Sequence, residues 1–141
     1  MDGVVVEILG RLLVIRLLWD AYSVTVASLY CPNDHQESLL WEAVGGVMAV
    51  AGMDVIVGGD FNLVADTLLD RSAQRFGQAG SLSLEGSKWL ADMGLMDVWR
   101  HLYPSARDHT YFSSSHLTYA RLDYFLLSPD SYQLLYIPRS E

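Results

Sequence analysis

The sequence predicts an α/β fold with a mixed sheet, and three observations carry that expectation. Two β-patterned runs near the start flank a short turn, so the chain opens with a hairpin. Helical patterns then alternate with short apolar runs. The last of these runs, Leu122 to Leu127, is apolar on both faces apart from Asp123, as a central strand covered on both sides should be.

The hairpin arms are Leu12 to Leu18 and Ser23 to Tyr30, both rich in Leu, Ile and Val, with Trp19 to Tyr22 between them. In the second arm Val24, Val26, Ser28 and Tyr30 share one face, and Thr25, Ala27 and Leu29 the other. Cys31-Pro32-Asn33-Asp34 breaks the strand. Leu40, Val44, Val47 and Ala51 keep helical spacing, which predicts a helix over residues 36 to 52. Gly45 and Gly46 oppose it by about 1 kcal/mol each relative to alanine. A buried strand over Asp54 to Gly58 leads into Gly59-Asp60-Phe61-Asn62, and residues 66 to 82 read as a loop. A second helix is expected over residues 84 to 93, stopped by Gly94, and a short strand over Thr110 to Ser113.

Charge and composition narrow the function classes. Nine basic and 17 acidic residues give a net charge of −8, so binding of nucleic acid through bulk positive charge is excluded; DNA contact would need a local patch and a bound metal. A composition 51% hydrophobic and 18% charged argues against disorder and suggests part of a larger body. The single cysteine, Cys31, forbids an internal disulfide and fits a reducing compartment. The N-terminal apolar stretch is interrupted by Glu7, Arg11, Arg16 and Asp20, and no basic leader precedes it. The expectation is an intracellular protein, nuclear or cytoplasmic, away from membranes.

Asp60 and Asn62 stand two apart at a strand end, so both should point one way while Phe61 enters the core. A carboxylate can ligate Mg²⁺ and orient or deprotonate a water, and a carboxamide can donate to a phosphate oxygen as charge builds there. An Asx turn closing the strand explains the same spacing. Tyr30, at the end of another buried strand, can offer a hydroxyl to phosphate or simply pack. Arg121 and Asp123 form a structural pair in one reading; in the other, Asp123 orients a catalytic histidine. The histidines at 35, 101, 109 and 116 show no metal-ligand spacing and read as surface or packing residues, His101 in a turn.

Four segments occur in a telling order: Tyr30-Cys31-Pro32-Asn33, Gly59-Asp60-Phe61-Asn62, the run Gly94 to Pro104, and Arg121-Leu122-Asp123-Tyr124-Phe125-Leu126-Leu127-Ser128. Together they resemble the endonuclease/exonuclease/phosphatase superfamily, on the side of the apurinic endonucleases and the endonucleases of LINE-type retrotransposons. Leu69-Asp70-Arg71-Ser72 resembles the retrotransposon branch. The resemblance implies a four-layer α/β sandwich, two packed mixed sheets flanked by helices. It also implies Mg²⁺-dependent hydrolysis of DNA phosphodiesters, with Mn²⁺ as a substitute and a reverse transcriptase domain in the parent polyprotein. By position, Asp60 would activate water and, with Asn62, hold the metal; Asn62 would also hold the scissile phosphate. Tyr30 would contact phosphate, Asp123 would pair with the family's histidine, Asp97 would support the site, and Asp70 would brace its loop with Arg71.

The family's metal-binding glutamate has no counterpart before Leu12, and its Ser-Asp-His motif does not follow the Arg-Leu-Asp-Tyr strand. Residues 1–141 are therefore expected to form a single partial domain, incomplete at both ends, that binds metal weakly and is inactive alone. The competing expectations are a phosphoesterase acting on inositol phosphates or lipid head groups, and a degenerate fragment without activity.

Overall fold

A computed structural model describes residues 5–8, 10–33, 36–52, 54–73 and 80–133 of the chain. In chain order the elements are β1 (Val5–Ile8), β2 (Leu12–Trp19), β3 (Tyr22–Tyr30), α1 (Gln36–Val50), β4 (Asp54–Asp60), β5 (Leu63–Val64) and β6 (Gly80–Ser81). There follow α2 (Leu84–Asp92), β7 (Met96–Asp97), α3 (Val98–Leu102), β8 (Tyr111–Ser113), β9 (Thr118–Ala120), β10 (Asp123–Leu127) and α4 (Pro129–Gln133). Six strands form one mixed sheet in the order β1-β2-β3-β4-β10-β7. Its single parallel pair, β3 with β4, requires a crossover, and α1 supplies it. The predicted hairpin is β2–β3, turning at Asp20, whose φ of 48° is left-handed. Strand β10 lies between β4 and β7, an interior position.

One face of this sheet is the core. Leu12 and Val14 of β2, Ala27 and Leu29 of β3, Val55 and Val57 of β4, and Tyr124 and Leu126 of β10 are all buried on it. Leu40, Ala43, Val44 and Val47 of α1 and Leu90 of α2 belong to the same hydrophobic cluster. Trp41 and Trp89 stack at 5.9 Å between the two helices. The opposite face is uncovered in places: Leu13 is 41% exposed and Phe125 57%. Of the four layers the resemblance implies, the described residues hold this large sheet, its helical cover, and two two-stranded ribbons, β5–β6 and β8–β9.

The termini of α2 follow from local chemistry. Ser83 caps its start by accepting from the Gly86 N–H at 3.0 Å, while the Glu37 carboxylate of α1 takes the Ser83 hydroxyl. Gly94 ends it at φ 75°, a left-handed turn that costs glycine little. Several expectations need correction. Residues 66 to 82 are not all loop, because Gly80–Ser81 pairs with Leu63–Val64. His101 lies in α3, not in a turn, because Asp97 caps a helix that runs through it. His35 lies outside the described residues. Strand β10 is buried along its Tyr124–Leu126 side and at Leu127, while Asp123 and Phe125 leave the rest of its other side open.

Candidate active site

The parallel pairing of β3 with β4 and the antiparallel pairing of β4 with β10 align three residues. Tyr30 faces Asp60, and Asp60 faces Asp123. All three therefore project from the same face of the sheet, at one end of its central strands. Tyr30 is 50% exposed and Asp123 is exposed, while Asp60 is partly buried.

Beyond Asp60 the chain is tightly held. Phe61 is fully buried and stacks on Tyr124 at 4.3 Å, and its N–H donates to the Leu122 carbonyl. Asn62 then turns back with φ 49°, a left-handed conformation that costs a non-glycine residue strain. Two hydrogen bonds hold it there. Its N–H donates to Asp60 Oδ1 at 2.9 Å, which is the Asx turn, and its carboxamide Nδ2 donates to the carbonyl of Cys31. The Asx turn and a phosphodiesterase site are thus compatible readings of the same residues. The carboxamide has a second N–H hydrogen beyond the one given to Cys31, and Asn62 is 8% exposed toward the cleft it lines.

Electrostatics make Asp60 distinctive. Burial raises its pKa, the Asn62 N–H pulls it down, and the neighbouring Asp123 charge pushes it up; the net direction is upward. Cys31 beside it is pushed up to about 11, by burial and then by Asp60, against a smaller opposing effect of Arg11. That thiol stays protonated and is a packing group.

Asp60 lines three clefts. A cleft of about 610 Å³ runs from Asp60 and Asn62 past Arg71 to Tyr111, His116 and Tyr119 of the β8–β9 hairpin. Another joins Asp60 to Tyr30 and to Arg11, at the turn between β1 and β2. The sequence reading missed Arg11 and the hairpin aromatics, and it set His116 aside as a surface or packing residue. The signal for the hairpin was present, since Tyr111-Phe112 and Thr118-Tyr119 flank a serine-rich turn. No comparable signal marks Arg11, whose place depends on the β1–β2 turn lying beside the end of β3.

Asp70 and Arg121 form the buried support. Asp70 is 0% exposed and accepts from Arg121 Nε at 2.8 Å and from Arg100 Nη2 at 2.6 Å. Arg121 also pairs with Asp97, which caps α3. Burial alone would raise the pKa of Asp70; the donors from Arg121, the Asp66 N–H and Arg100 outweigh it and lower it. The loop brace expected from Asp70 is therefore made with Arg121 and Arg100. Arg121 turns to these carboxylates and Asp123 faces solvent, so the structural pairing of Arg121 with Asp123 is replaced by this network.

The sequence model of the Endonuclease/Exonuclease/phosphatase family matches residues 3–136. Among solved structures, the chain is similar to the endonuclease domain of TRAS1, a telomere-specific non-LTR retrotransposon, with TM-score 0.64 and 18% identity over 94% of this chain. It is similar to an AP endonuclease from Archaeoglobus fulgidus, with TM-score 0.65 and 18% identity over 86% of this chain. It is also similar to the 3'-5' exonuclease NExo from Neisseria meningitidis, with TM-score 0.63 and 22% identity over 85% of this chain. The chain spans 59%, 53% and 53% of those three structures, so at these identities the likeness establishes the shared fold of a part of each.

Proposed function

The chain belongs to the endonuclease/exonuclease/phosphatase family, and from that premise we propose that it is the central part of a retrotransposon-type, Mg²⁺-dependent DNA endonuclease. The observation that carries the reading is the row Tyr30–Asp60–Asp123 with Asn62 beside Asp60, where Asp60 and Asn62 line a cleft that also holds Arg71 and the hairpin tyrosines Tyr111 and Tyr119. Asp60 orients a water and takes its proton, and its raised pKa makes it a better base than an ordinary aspartate. The second carboxamide hydrogen of Asn62 donates to a phosphate oxygen, and the Tyr30 hydroxyl reaches the same group. Asp123 would orient the family's catalytic histidine, which the resemblance places after the Arg-Leu-Asp-Tyr strand. Arg11 and Arg71 supply the local positive charge that a chain of net charge −8 needs to hold a polyanion. Tyr111 and Tyr119, each 50% exposed, offer faces for stacking on bases. Those aromatic faces suit DNA better than an inositol ring or a lipid head group.

A divalent metal would supply charge stabilisation at the phosphate. The hard oxygens of Asp60 and Asn62 suit Mg²⁺ in kind, but they fall short of its near-octahedral shell in number. Among the described residues no group of three or more His, Cys, Asp or Glu is placed to hold a metal. The isolated chain is accordingly proposed to bind Mg²⁺ weakly and to be inactive alone, as one incomplete domain over residues 1–141. The intact protein would carry a reverse transcriptase domain in the same polyprotein.

The test is a chimera in which the segments flanking this chain come from an intact element. It should nick supercoiled plasmid in Mg²⁺ and stop in chelator. Asp60→Asn should lower the rate by about 100-fold or more, since an amide cannot accept the proton. Nicking at the parental rate by folded Asp60→Asn would sink the mechanism. Turnover of inositol phosphates without nicking would favour the other substrate class. A folded, metal-indifferent chimera with no turnover would point to a degenerate fragment.

A further inference from the structure

Arg71 and the β8–β9 hairpin are built as one unit. Arg71 pairs with Ala120 as an isolated antiparallel bridge, and Ala120 pairs with Tyr111. The Ser72 N–H donates to the Tyr119 carbonyl at 3.0 Å, and the Tyr119 N–H donates to Ser72 Oγ at 2.8 Å. The loop after β5 is thereby fastened along β9. Directly opposed residues project to one side, and strand alternation adds Ser113 and Thr118 to Arg71, Ala120 and Tyr111. All five line the cleft that begins at Asp60. The turn at the hairpin tip brings His116 into the same lining. Leu117, the next residue, holds a left-handed φ of 50° and is 73% exposed, while His116 is half-buried. That conformation is strained for a leucine, and the strain adjoins the one titratable side chain of the turn.

Among the described residues that line this cleft, Arg71 and His116 supply the cationic side chains, and Asp60 alone supplies a carboxylate. Ser113 Oγ and Ser115 Oγ lie 3.2 Å apart in the same lining, and either hydroxyl can turn a hydrogen toward an anion. From Ala120 back to Thr118 the strand advances about 7 Å before the turn reaches His116. The two cations therefore stand in a line along the hairpin, not at one point. A nucleic-acid strand carries its charge in such a line, about one per 3.4 Å of helix axis. We propose that Arg71 and His116, with the Ser113 and Ser115 hydroxyls, form a subsite for non-scissile phosphates of a strand whose cleaved bond lies at Asp60. The inference rests on the nuclease reading for the identity of the strand and adds the residues that grip its flanking backbone. His116 acts as the imidazolium, so the grip strengthens as pH falls through the range in which imidazoles charge. The other titratable groups of the lining are Asp60 of β4, Arg71 of the loop after β5, Tyr111 of β8 and Tyr119 of β9; His109 stacks on Tyr119 at 6.0 Å. Asp60 also becomes less repulsive to an anion as it takes up a proton, and a variant at His116 separates the two effects.

The probe is a thymidine hexanucleotide, titrated without Mg²⁺ into the ¹⁵N-labelled chain while the His116 imidazole resonances are followed. A hexamer with a neutral methylphosphonate backbone is the control. The phosphodiester hexamer should shift His116 saturably, and the neutral one should leave it unmoved. For a single strand, each phosphate contact contributes about 0.7 to the slope of log affinity against log salt. His116→Ala should therefore lower that slope by about 0.7 at about pH 5.5 and leave it unchanged at about pH 8.5. Arg71→Gln should lower it by about 0.7 at both. A merely structural histidine would change affinity without changing the slope. Equal slopes in the parent and His116→Ala at the lower pH, matching shifts from the neutral hexamer, or displacement of the hexamer by an equal concentration of inorganic phosphate would each overturn the proposal. The slope of the unaltered chain should itself steepen as pH falls, so the result does not hang on a variant folding. Nicking plays no part in the readout. A chimera that fails to nick would remove the nuclease reading and leave the phosphate subsite standing, whereas unchanged slopes beside intact nicking would remove the subsite alone.

Discussion

Gly59 shows how a single position fixes the site. Its φ is 146°, and a Cβ added there would lie 1.9 Å from the Leu29 carbonyl oxygen, which is backbone and cannot swing away. Gly58 next to it would clash with the Phe125 ring instead, and that ring is 57% exposed and free to rotate outward. The two substitutions should therefore differ. Gly59→Ala should cost on the order of 3 kcal/mol or more, and Gly58→Ala about 1 kcal/mol. Urea midpoints check this, and equal losses would show that the β3–β4 spacing relaxes. Asn62 is the second such position. Asn62→Ala leaves the Cys31 carbonyl without its donor inside the structure and keeps the left-handed strain, so about 1–3 kcal/mol should be lost. Asp60 itself is destabilising when ionised, because its folded pKa lies above the unfolded value; protonation as pH falls relieves that cost.

At the scale of elements, the Asp70 carboxylate ties the loop after β5 to α3 and to the start of β10. Asp70→Asn leaves two guanidinium groups with less negative charge to face and should cost about 3–5 kcal/mol. The pH dependence has a definite sign. The folded pKa of Asp70 is lowered below its ordinary 3.8, so its contribution is complete above that pH and is lost as pH falls below it through the folded value. Denaturation midpoints measured from pH 6 down to pH 2 should drop steeply only below about pH 4 in the parent. The Asp70→Asn variant should show a shallower drop. The β8–β9 hairpin makes a different forecast, since Phe112 and Tyr119 pack at 4.8 Å while their outer faces stay exposed. In the chimera, Tyr119→Ala should weaken DNA binding about 10-fold, the cost of one lost base stack, with little change in melting temperature. A melting loss without a binding loss would make the hairpin a structural strut.

For the whole molecule the uncovered sheet face decides behaviour. Leu13 and Phe125 lie in neighbouring rows of that face with Ile15, Val26 and Ile56, all at least partly exposed. An apolar patch of this kind favours association, while a net charge of −8 opposes it. The purified chain should bind a hydrophobic dye such as anilinonaphthalene sulfonate and should self-associate more as salt rises and screens the repulsion. Sedimentation velocity across a salt series checks this. A dye-silent monomer at every salt concentration would show that the face has closed on itself.

Sequence alone determined the parts governed by local rules. Strand alternation placed Thr25, Ala27 and Leu29 on a common face, helical spacing located α1, and Gly94 marked the end of α2. The two-residue step from Asp60 to Asn62 was visible in the same way, although the left-handed turn at Asn62 was not. Tertiary structure decided the rest, because it depends on which strands become neighbours. Only the β3–β4–β10 pairing puts Tyr30, Asp60 and Asp123 in one row, and only the fold brings Arg121 to Asp70, which lies 51 residues away in the chain. Two-residue strands such as β5, β6 and β7 carry too little pattern to be read locally. They exist because a distant partner accepts their backbone hydrogen bonds, and no local propensity encodes that partner.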